Sequence, residues 1–573
     1  LVIRQRLKTF CTEFLVRFTS SIRYHSSLPS VEMTKKQNKT KMKSIKIAVL
    51  LLSVFSFQKN TAQVWTPDNG DGTYTNPIIH ADYSDPDAVR VGDDFYMTAS
   101  SFNCIPGLPI LHSKDLVNWK IISYALPKQP PFETYDKVQH GNGVWAPSIT
   151  FHNNEFYIYY PDPDFGIYMI KAKKAEGPWS EPLLVKAGKG LIDPSPLWDD
   201  DGKVYLVHAF AGSRAQIKSL IVVCSMNADG TIANNDEVMV IDGHDGEGTI
   251  EGPKFYKRNN YYYIFAPAGG VPTGWQTILR SKNVFGPYEK KKVLEQGSTK
   301  INGPHQGAWV QTQTGEDWFI HFQDKGAYGR IVHLQPMKWE KDWPVMGQDF
   351  DKNGIGEPVT TYKKPNVGKK YPIENPAVSD EFNEPKLGLQ WQWQANSQIN
   401  WGLPTSLGYL NLFCMTTIKD SKRIFDAPNL LLQKFPAEEF SATAKLTFNA
   451  RLNGESTGLI IMGLDYSYLC LKNDNGKLYL NQKTGTFNKT VSETETKPIL
   501  ISSNTIYLKV KVKKGGICSF FYSLDDKNYQ PIGSDFTSIE GKWIGAKMGL
   551  FALSEKVTND SGSVAVDWFR VTK

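Results

Sequence analysis

The feature that most constrains this chain is a repeat. Five segments between residues 76 and 345 follow one plan: a polar or proline-marked start, an alternating strand, a polar turn, and a second strand rich in aromatics. They read SDPDAVRVGDDFYMTAS from Ser84, WAPSITFHNNEFYIYY from Trp145, IDPSPLWDDDGKVYLVHA from Ile192, IEGPKFYKRNNYYYIFA from Ile250 and PHQGAWVQTQTGEDWFIHF from Pro304. The turns (Gly92-Asp93-Asp94, Asn153-Asn154, Asp199 to Gly202, Asn259-Asn260, Gly315-Glu316) are hairpin signals. Taken at Tyr96, Tyr157, Tyr205, Tyr262 and Trp318, the repeats are 61, 48, 57 and 56 residues apart, which leaves room for four short strands each. Units of that length cannot bury an apolar face alone and must stack on their neighbours, so the pattern predicts a β-propeller of five blades. The ring-rich composition, with 15 Trp, 26 Tyr and 30 Phe, suits the packing between such blades.

The repeat also localises the chemistry. In a propeller the innermost strand of every blade lines a central channel, so the residues opening the segments converge: Asp85, Trp145 or Pro147, Asp193, Glu251 and His305. Their distances to the following ring are 11 residues for Asp85–Tyr96, 12 for Asp193–Tyr205, 11 for Glu251–Tyr262 and 13 for His305–Trp318. Any one carboxylate could be a turn cap, but three at one repeat phase place Asp85, Asp193 and Glu251 in one funnel. Like charges gathered in a partly dry site push their pKa values apart. One carboxyl can then stay protonated as an acid while another stays ionised as a base. Two carboxylates flanking a sugar, with an aromatic platform nearby, are equipped for glycosidic hydrolysis.

These motifs resemble a known family. Ser84-Asp85-Pro86-Asp87 with Gly92-Asp93-Asp94-Phe95-Tyr96, then Ile192-Asp193-Pro194-Ser195, Ile250-Glu251-Gly252-Pro253 and Gly303-Pro304-His305-Gln306-Gly307, are similar in order to those of glycoside hydrolase family 43. The resemblance implies an inverting enzyme of the β-xylosidase or α-L-arabinofuranosidase type. It makes Asp85 the general base, Glu251 the general acid, and Asp193 the residue that raises the pKa of Glu251 and orients it. Arg330, in Tyr328-Gly329-Arg330-Ile331, matches a family arginine that contacts sugar hydroxyls; otherwise it is a surface ion pair. His305 matches a channel histidine that often sits by a calcium or other cation on the propeller axis; otherwise it is a buried hydrogen-bonded histidine. The chemistry itself needs no cofactor. Trp145, Phe102 and Trp275 are candidate sugar contacts near the rim, or else blade packing. Asp87 is a candidate partner of the base, and His140, Asp162 and Asp164 read as loop residues.

Beyond the repeats, residues 351–378 are rich in Lys, Pro, Gly and Asn and read as a surface connector after a propeller spanning 63–350. Residues 379–573 alternate strongly, as in Phe440–Phe448, Thr505–Val512 and Val564–Val571, and predict an all-β sandwich. The stretch from Ser379-Asp380-Glu381-Phe382 through Trp391 and Trp393 resembles the concanavalin-like C-terminal domain of family 43 β-xylosidases. That resemblance implies a loop closing part of the active-site mouth, and hence exo action; a separate carbohydrate-binding module is the alternative.

Residues 1–62 have the layout of a leader with a secretory signal peptide. Lys39, Lys41, Lys43 and Lys46 precede the eleven-residue apolar run Ile47–Phe57, and Thr61-Ala62-Gln63 offers a small-residue cleavage site. The run is too short to span a bilayer, which needs about 20 residues. Export to the periplasm or outside a bacterial cell is the expectation. The leader carries a net charge of +10, so the chain's overall +7 leaves the remainder at about −3, with no basic stripe for nucleic acid. Five cysteines beyond the leader match neither a metal pattern nor a disulfide framework. The expected partner is an oligosaccharide, and oligomeric state is not legible. Three rival readings remain: a silent lectin on the same propeller, an exo-glycosidase for another plant polysaccharide linkage, and a retaining fructan hydrolase. The third is disfavoured because Ser84, not Asn, precedes Asp85 and Gly252, not Cys, follows Glu251.

Overall fold

The computed structural model describes residues 63–416, 423–487 and 493–573. The predicted leader lies outside the described residues. Five four-stranded antiparallel sheets follow one another along the chain. Their first strands are Asp87–Val91, Ser148–His152, Leu191–Trp198, Lys254–Arg258 and His305–Gln311. Each is an edge of its own sheet, and all five contribute to one axial channel of about 460 Å³ that includes Asp87, Ser148, Ser195, Lys254 and Val310. This is the five-bladed propeller, with the first strand of every blade innermost.

Small polar groups tie neighbouring blades at one level. Asp87 Oδ2 accepts from the Ile149 amide at 2.8 Å, and Ser195 Oγ accepts from the Phe255 amide at 3.1 Å. Asp87 is therefore turned to the second blade rather than to Asp85. The ring is closed by the N-terminal segment. Ile79 pairs with Val332, and Asn76 exchanges two hydrogen bonds with the backbone of Leu334, alongside the long third strand of blade five, Arg330–Glu340. The 351–378 stretch is stitched to the propeller through Thr361–Lys363, which pairs with Thr73–Thr75.

Residues after 379 build two packed, mainly antiparallel sheets. In one, Phe440–Asn449 lies between Ser563–Thr572 and Thr505–Lys513. Alternate residues Phe440, Ala442, Ala444, Leu446 and Phe448 point inward with Ile506, Leu508, Val510 and Val512. This is the period-2 burial that a sandwich requires. The sandwich meets the propeller edge to edge: Ile105 and Trp393 exchange backbone hydrogen bonds of 3.0 and 2.6 Å, and the Ala546 amide donates to Ala327 O. The five described cysteines are buried and outside any disulfide.

The propeller interior holds several neutral histidines. Burial pushes His80, His208 and His321 down to about 4, and His333 lower still. In the unfolded chain each titrates near 6.5, so between about 6.5 and 4 the unfolded state binds more protons and stability falls as pH falls. Asp162, pushed up to about 7 by burial, and the raised Asp87, Asp193 and Asp324 act in the opposite sense, but with His140 and His152, also lowered by burial, the histidines outnumber them. At pH 5 each of His80, His208 and His321 is expected to cost about 2 kcal/mol relative to pH 7. The midpoint of thermal unfolding, followed by differential scanning fluorimetry, should be lower at pH 5; an equal or higher midpoint would contradict this account.

Candidate active site

The site lies where the inner strands begin. Asp85 stands just before the first blade's inner strand, and Asp193 sits at a bulge within Leu191–Trp198. Both hold a left-handed backbone, with φ of 55° and 56°, a conformation that Asp tolerates better than most residues. The strand pairings set the phase: Val89 opposes Tyr96, Leu197 opposes Tyr205, Tyr256 opposes Tyr263 and Val310 opposes Trp318. The matching ring of the fourth repeat is therefore Tyr263, not Tyr262. Gly252 (φ 58°) and Gln306 (φ 35°) are the equivalents of Asp85 and Asp193. Glu251 sits one residue earlier, level with Trp145 and His305. This corrects the equal-phase expectation, and the run Tyr261-Tyr262-Tyr263 is what conceals the shift.

The three carboxylates nevertheless meet. Asp193 is almost fully buried, and its Oδ2 accepts from the Gly252 amide at 2.7 Å, which anchors it beside Glu251. Burial first, then the charge of Glu251 and the weaker effect of Asp85, raises the Asp193 carboxyl well above the ordinary carboxylate value. Asp85 Oδ2 accepts from Ser84 Oγ at 2.7 Å and Ser100 Oγ at 2.5 Å. Arg330 Nη1 reaches Ser84 Oγ at 2.7 Å and Asp85 Oδ1 at 3.2 Å. His305 Nε2 lies 3.0 Å from Glu251 Oε1 in a hydrogen bond. Phe322 lies beneath both halves, under the Arg330 guanidinium at 4.9 Å and 5.7 Å from the His305 ring. Glu251 is the most open of these groups, at 24% side-chain exposure against 5% for Asp85.

The rim has a contributor from the far end of the chain. The sandwich segment 540–544 forms a cavity of about 260 Å³ with Pro272, Asp324 and Arg330. Its Trp543 stands edge-on to Trp145 at 6.1 Å. Trp145 is held by its Nε1 donating to Gly141 O and by Arg214 over its ring at 5.3 Å. Arg214 is in turn paired with Asp164.

Family models match both halves of the chain: glycosyl hydrolases family 43 over residues 74–344, and the β-xylosidase C-terminal concanavalin A-like domain over 379–572. A putative β-xylosidase of Xylanibacter ruminicola is 40% identical over 495 residues, covering 84% of this chain and 86% of that protein. This chain belongs to glycoside hydrolase family 43. A β-xylosidase of Formosa agariphila is 32% identical, covering 88% of this chain and 90% of its own. A non-reducing end α-L-arabinofuranosidase of Bacteroides ovatus is also 32% identical, over 72% and 78%. The crystal structure of the family 43 protein BlXynB from Bacillus licheniformis superposes with a TM-score of 0.75 at 26% identity, covering 87% of this chain and 99% of that one.

In this family 43 hydrolase, Asp85, Asp193, Glu251, His305 and Arg330 are brought together and Trp145 stands at the rim. The Phe102 and Trp275 side chains are committed to other contacts. Phe102 is 2% exposed and held by backbone pairing with Val144, so it has almost no face to offer. Trp275 starts the third strand of blade four, where its Nε1 donates to Glu247 and Thr277 and Lys292 covers its ring. The axial-cation reading of His305 finds no protein cage. Among the described residues no group of three or more His, Cys, Asp or Glu could hold a metal, whereas calcium takes six to eight oxygens. The ring nitrogen that faces the site is engaged by Glu251. Sequence reasoning missed Ser84, Ser100, Phe322 and Trp543. The serines open and close the first repeat segment, Ser84 to Ser100, but Trp543 carries no local signal.

Proposed function

We propose that this glycoside hydrolase is exported and acts by inversion, removing terminal β-1,4-linked xylose, and α-L-arabinofuranose as a second sugar, from hemicellulosic oligosaccharides. The observation that carries this reading is the split environment of Asp85 and Glu251. Asp85 is buried, and two serine hydroxyls load its Oδ2, while Oδ1 accepts from Arg330 at 3.2 Å and has a second lone pair with which to take a proton from water. Glu251 is the open carboxyl, suited to reach a leaving-group oxygen directed towards solvent. Asp193, anchored on the Gly252 amide, holds the peptide that carries Glu251. Arg330, spanning Asp85 and the cavity, is placed to bind a sugar hydroxyl. Inversion requires base and acid on opposite sides of the sugar with water between base and anomeric carbon. The names of the two β-xylosidases and the arabinofuranosidase among the relatives support the pentose assignment. The wall formed by residues 540–544 supports attack at a chain end, because a walled pocket admits only a terminus.

Initial rates on aryl β-D-xyloside and aryl α-L-arabinofuranoside, measured side by side, test the sugar. Proton NMR of the first-formed product tests the stereochemistry, with α-xylose expected from a β-xyloside. Release of β-xylose first would overturn inversion, and inactivity on both substrates would overturn the pentose assignment. Trp543→Ala removes an aromatic partner worth about 0.5–1.5 kcal/mol. It is expected to raise KM for oligosaccharides about 3–10-fold with little change in kcat; an unchanged KM would remove Trp543 from the mouth.

A further inference from the structure

The sandwich strand Lys547–Ser554 runs antiparallel to Leu431–Lys434, with Lys547 directly opposite Lys434. Both lysines face the propeller. Two cations opposed across a ladder repel each other, and burying a charge without a partner is costly. Lys434 has answers to this: Asp82 lies 4.0 Å away and the Tyr83 ring 4.9 Å. Lys547 is only 4% exposed, and among the described residues no carboxylate lies within ion-pair distance of its Nζ. Its partner is the Cys104 thiol of the propeller, also 4% exposed, with Nζ 2.7 Å from Sγ. Even N–H···O bonds are usually about 2.9–3.0 Å, and sulfur is the larger atom. The two groups are thus held closer than ordinary hydrogen bonding asks. A cavity of about 20 Å³ borders both residues together with Asn103, His140, Gly141 and Lys542. That is enough for one water-sized molecule, since about 10–15 Å³ suffices.

We propose that Cys104 and Lys547 are a redox cross-linking site, joined through one oxygen atom as Nζ–O–Sγ by an oxidant of the hydrogen peroxide class. The thiol sulfur attacks one peroxide oxygen, the O–O bond breaks, and Sγ–OH and one water result. The Lys547 ammonium releases one proton to solvent, and its nitrogen then attacks a second peroxide in the same way, giving Nζ–OH and another water. The Nζ–OH oxygen then displaces hydroxide from sulfur, and its own proton leaves with that hydroxide as a third water. Thiol and amine are oxidised by four electrons in total, and two peroxides are reduced. The product is neutral, which removes the second cation from the opposed lysine pair. It ties the loop that carries Ser100, the donor to Asp85, to the strand that follows the Trp543 segment. The bond would therefore clamp the mouth between the two domains.

The test treats the full chain with hydrogen peroxide and maps the proteolytic peptides by mass. The Cys104 and Lys547 peptides should appear as one joined species about 14 Da heavier than their sum, one oxygen gained and two hydrogens lost. A dithiol should separate them by cleaving the S–O bond. In Lys547→Arg, which keeps the charge, the joined species should be absent. Separate peptides with Cys104 carrying additions of about 16 Da per oxygen would overturn the proposal. So would two unmodified peptides, or a joined species that persists in Lys547→Arg. Wild-type mapping decides the matter even if the variant does not fold.

Discussion

Asp85→Asn is expected to lower kcat by about 10²–10⁴-fold on oligosaccharides and activated aryl glycosides alike. A good leaving group eases departure but does nothing to deprotonate water, so it cannot compensate for a missing base. Asn is the clean replacement here. The left-handed backbone at Asp85 (φ 55°) suits Asn nearly as well as Asp, whereas Ala would add strain of its own. The amide oxygen can still accept from Arg330, and the Ser84 and Ser100 hydroxyls can rotate to accept from Nδ2. Steady-state rates on both substrate classes, with near-UV circular dichroism to verify the fold, check this. A kcat within tenfold of the unaltered enzyme would end the assignment of Asp85 as base.

Glu251→Gln should divide the substrates instead. Hydrolysis of unactivated oligosaccharides is expected to fall by about 10²–10⁴-fold, because the departing sugar oxygen needs a proton. Aryl glycosides with acidic phenols leave as stable anions and should lose far less. Gln retains the bond to His305 Nε2, so the pocket keeps its shape. The alkaline limb of the kcat/KM profile on oligosaccharides reports the acid, and it should vanish when the variant is assayed on an activated substrate. Equal losses on both classes would take Glu251 out of the acid role and leave it as a positioning residue.

Much of this was legible along the chain because β-hairpins are local. Each blade's first two strands are joined by a polar turn of a few residues, so alternation and turn chemistry appear together within about 20 residues. The sandwich strand Phe440–Asn449 is legible for the same reason: one face is buried, and a period of two follows. Asp85 and Asp193 could be paired from their place in the repeat. Glu251 could be found but not phased. A tyrosine run satisfies the aromatic position at three adjacent residues, and only the pairing of Tyr256 with Tyr263 selects one. Asp162, which reads as a loop residue, ends the strand Glu155–Asp162. It is buried against the Tyr135 hydroxyl at 2.6 Å, a contact that spans a loop of unpredictable course.

What the sequence determined by itself was the architecture, five stacked blades and a sandwich, and the carboxylates that open the inner strands. These depend on periodic burial and short turns, which act between residues near one another in the chain. Tertiary structure alone decided which rings stand at the mouth and which are committed to packing. It buried Phe102, committed Trp275 to Glu247 and Thr277, and brought Trp543 to within 6.1 Å of Trp145 across nearly 400 residues of chain. It also set Cys104 against Lys547. Such contacts arise where two separately folded surfaces meet, and the shape and charge of those surfaces leave no period in either segment.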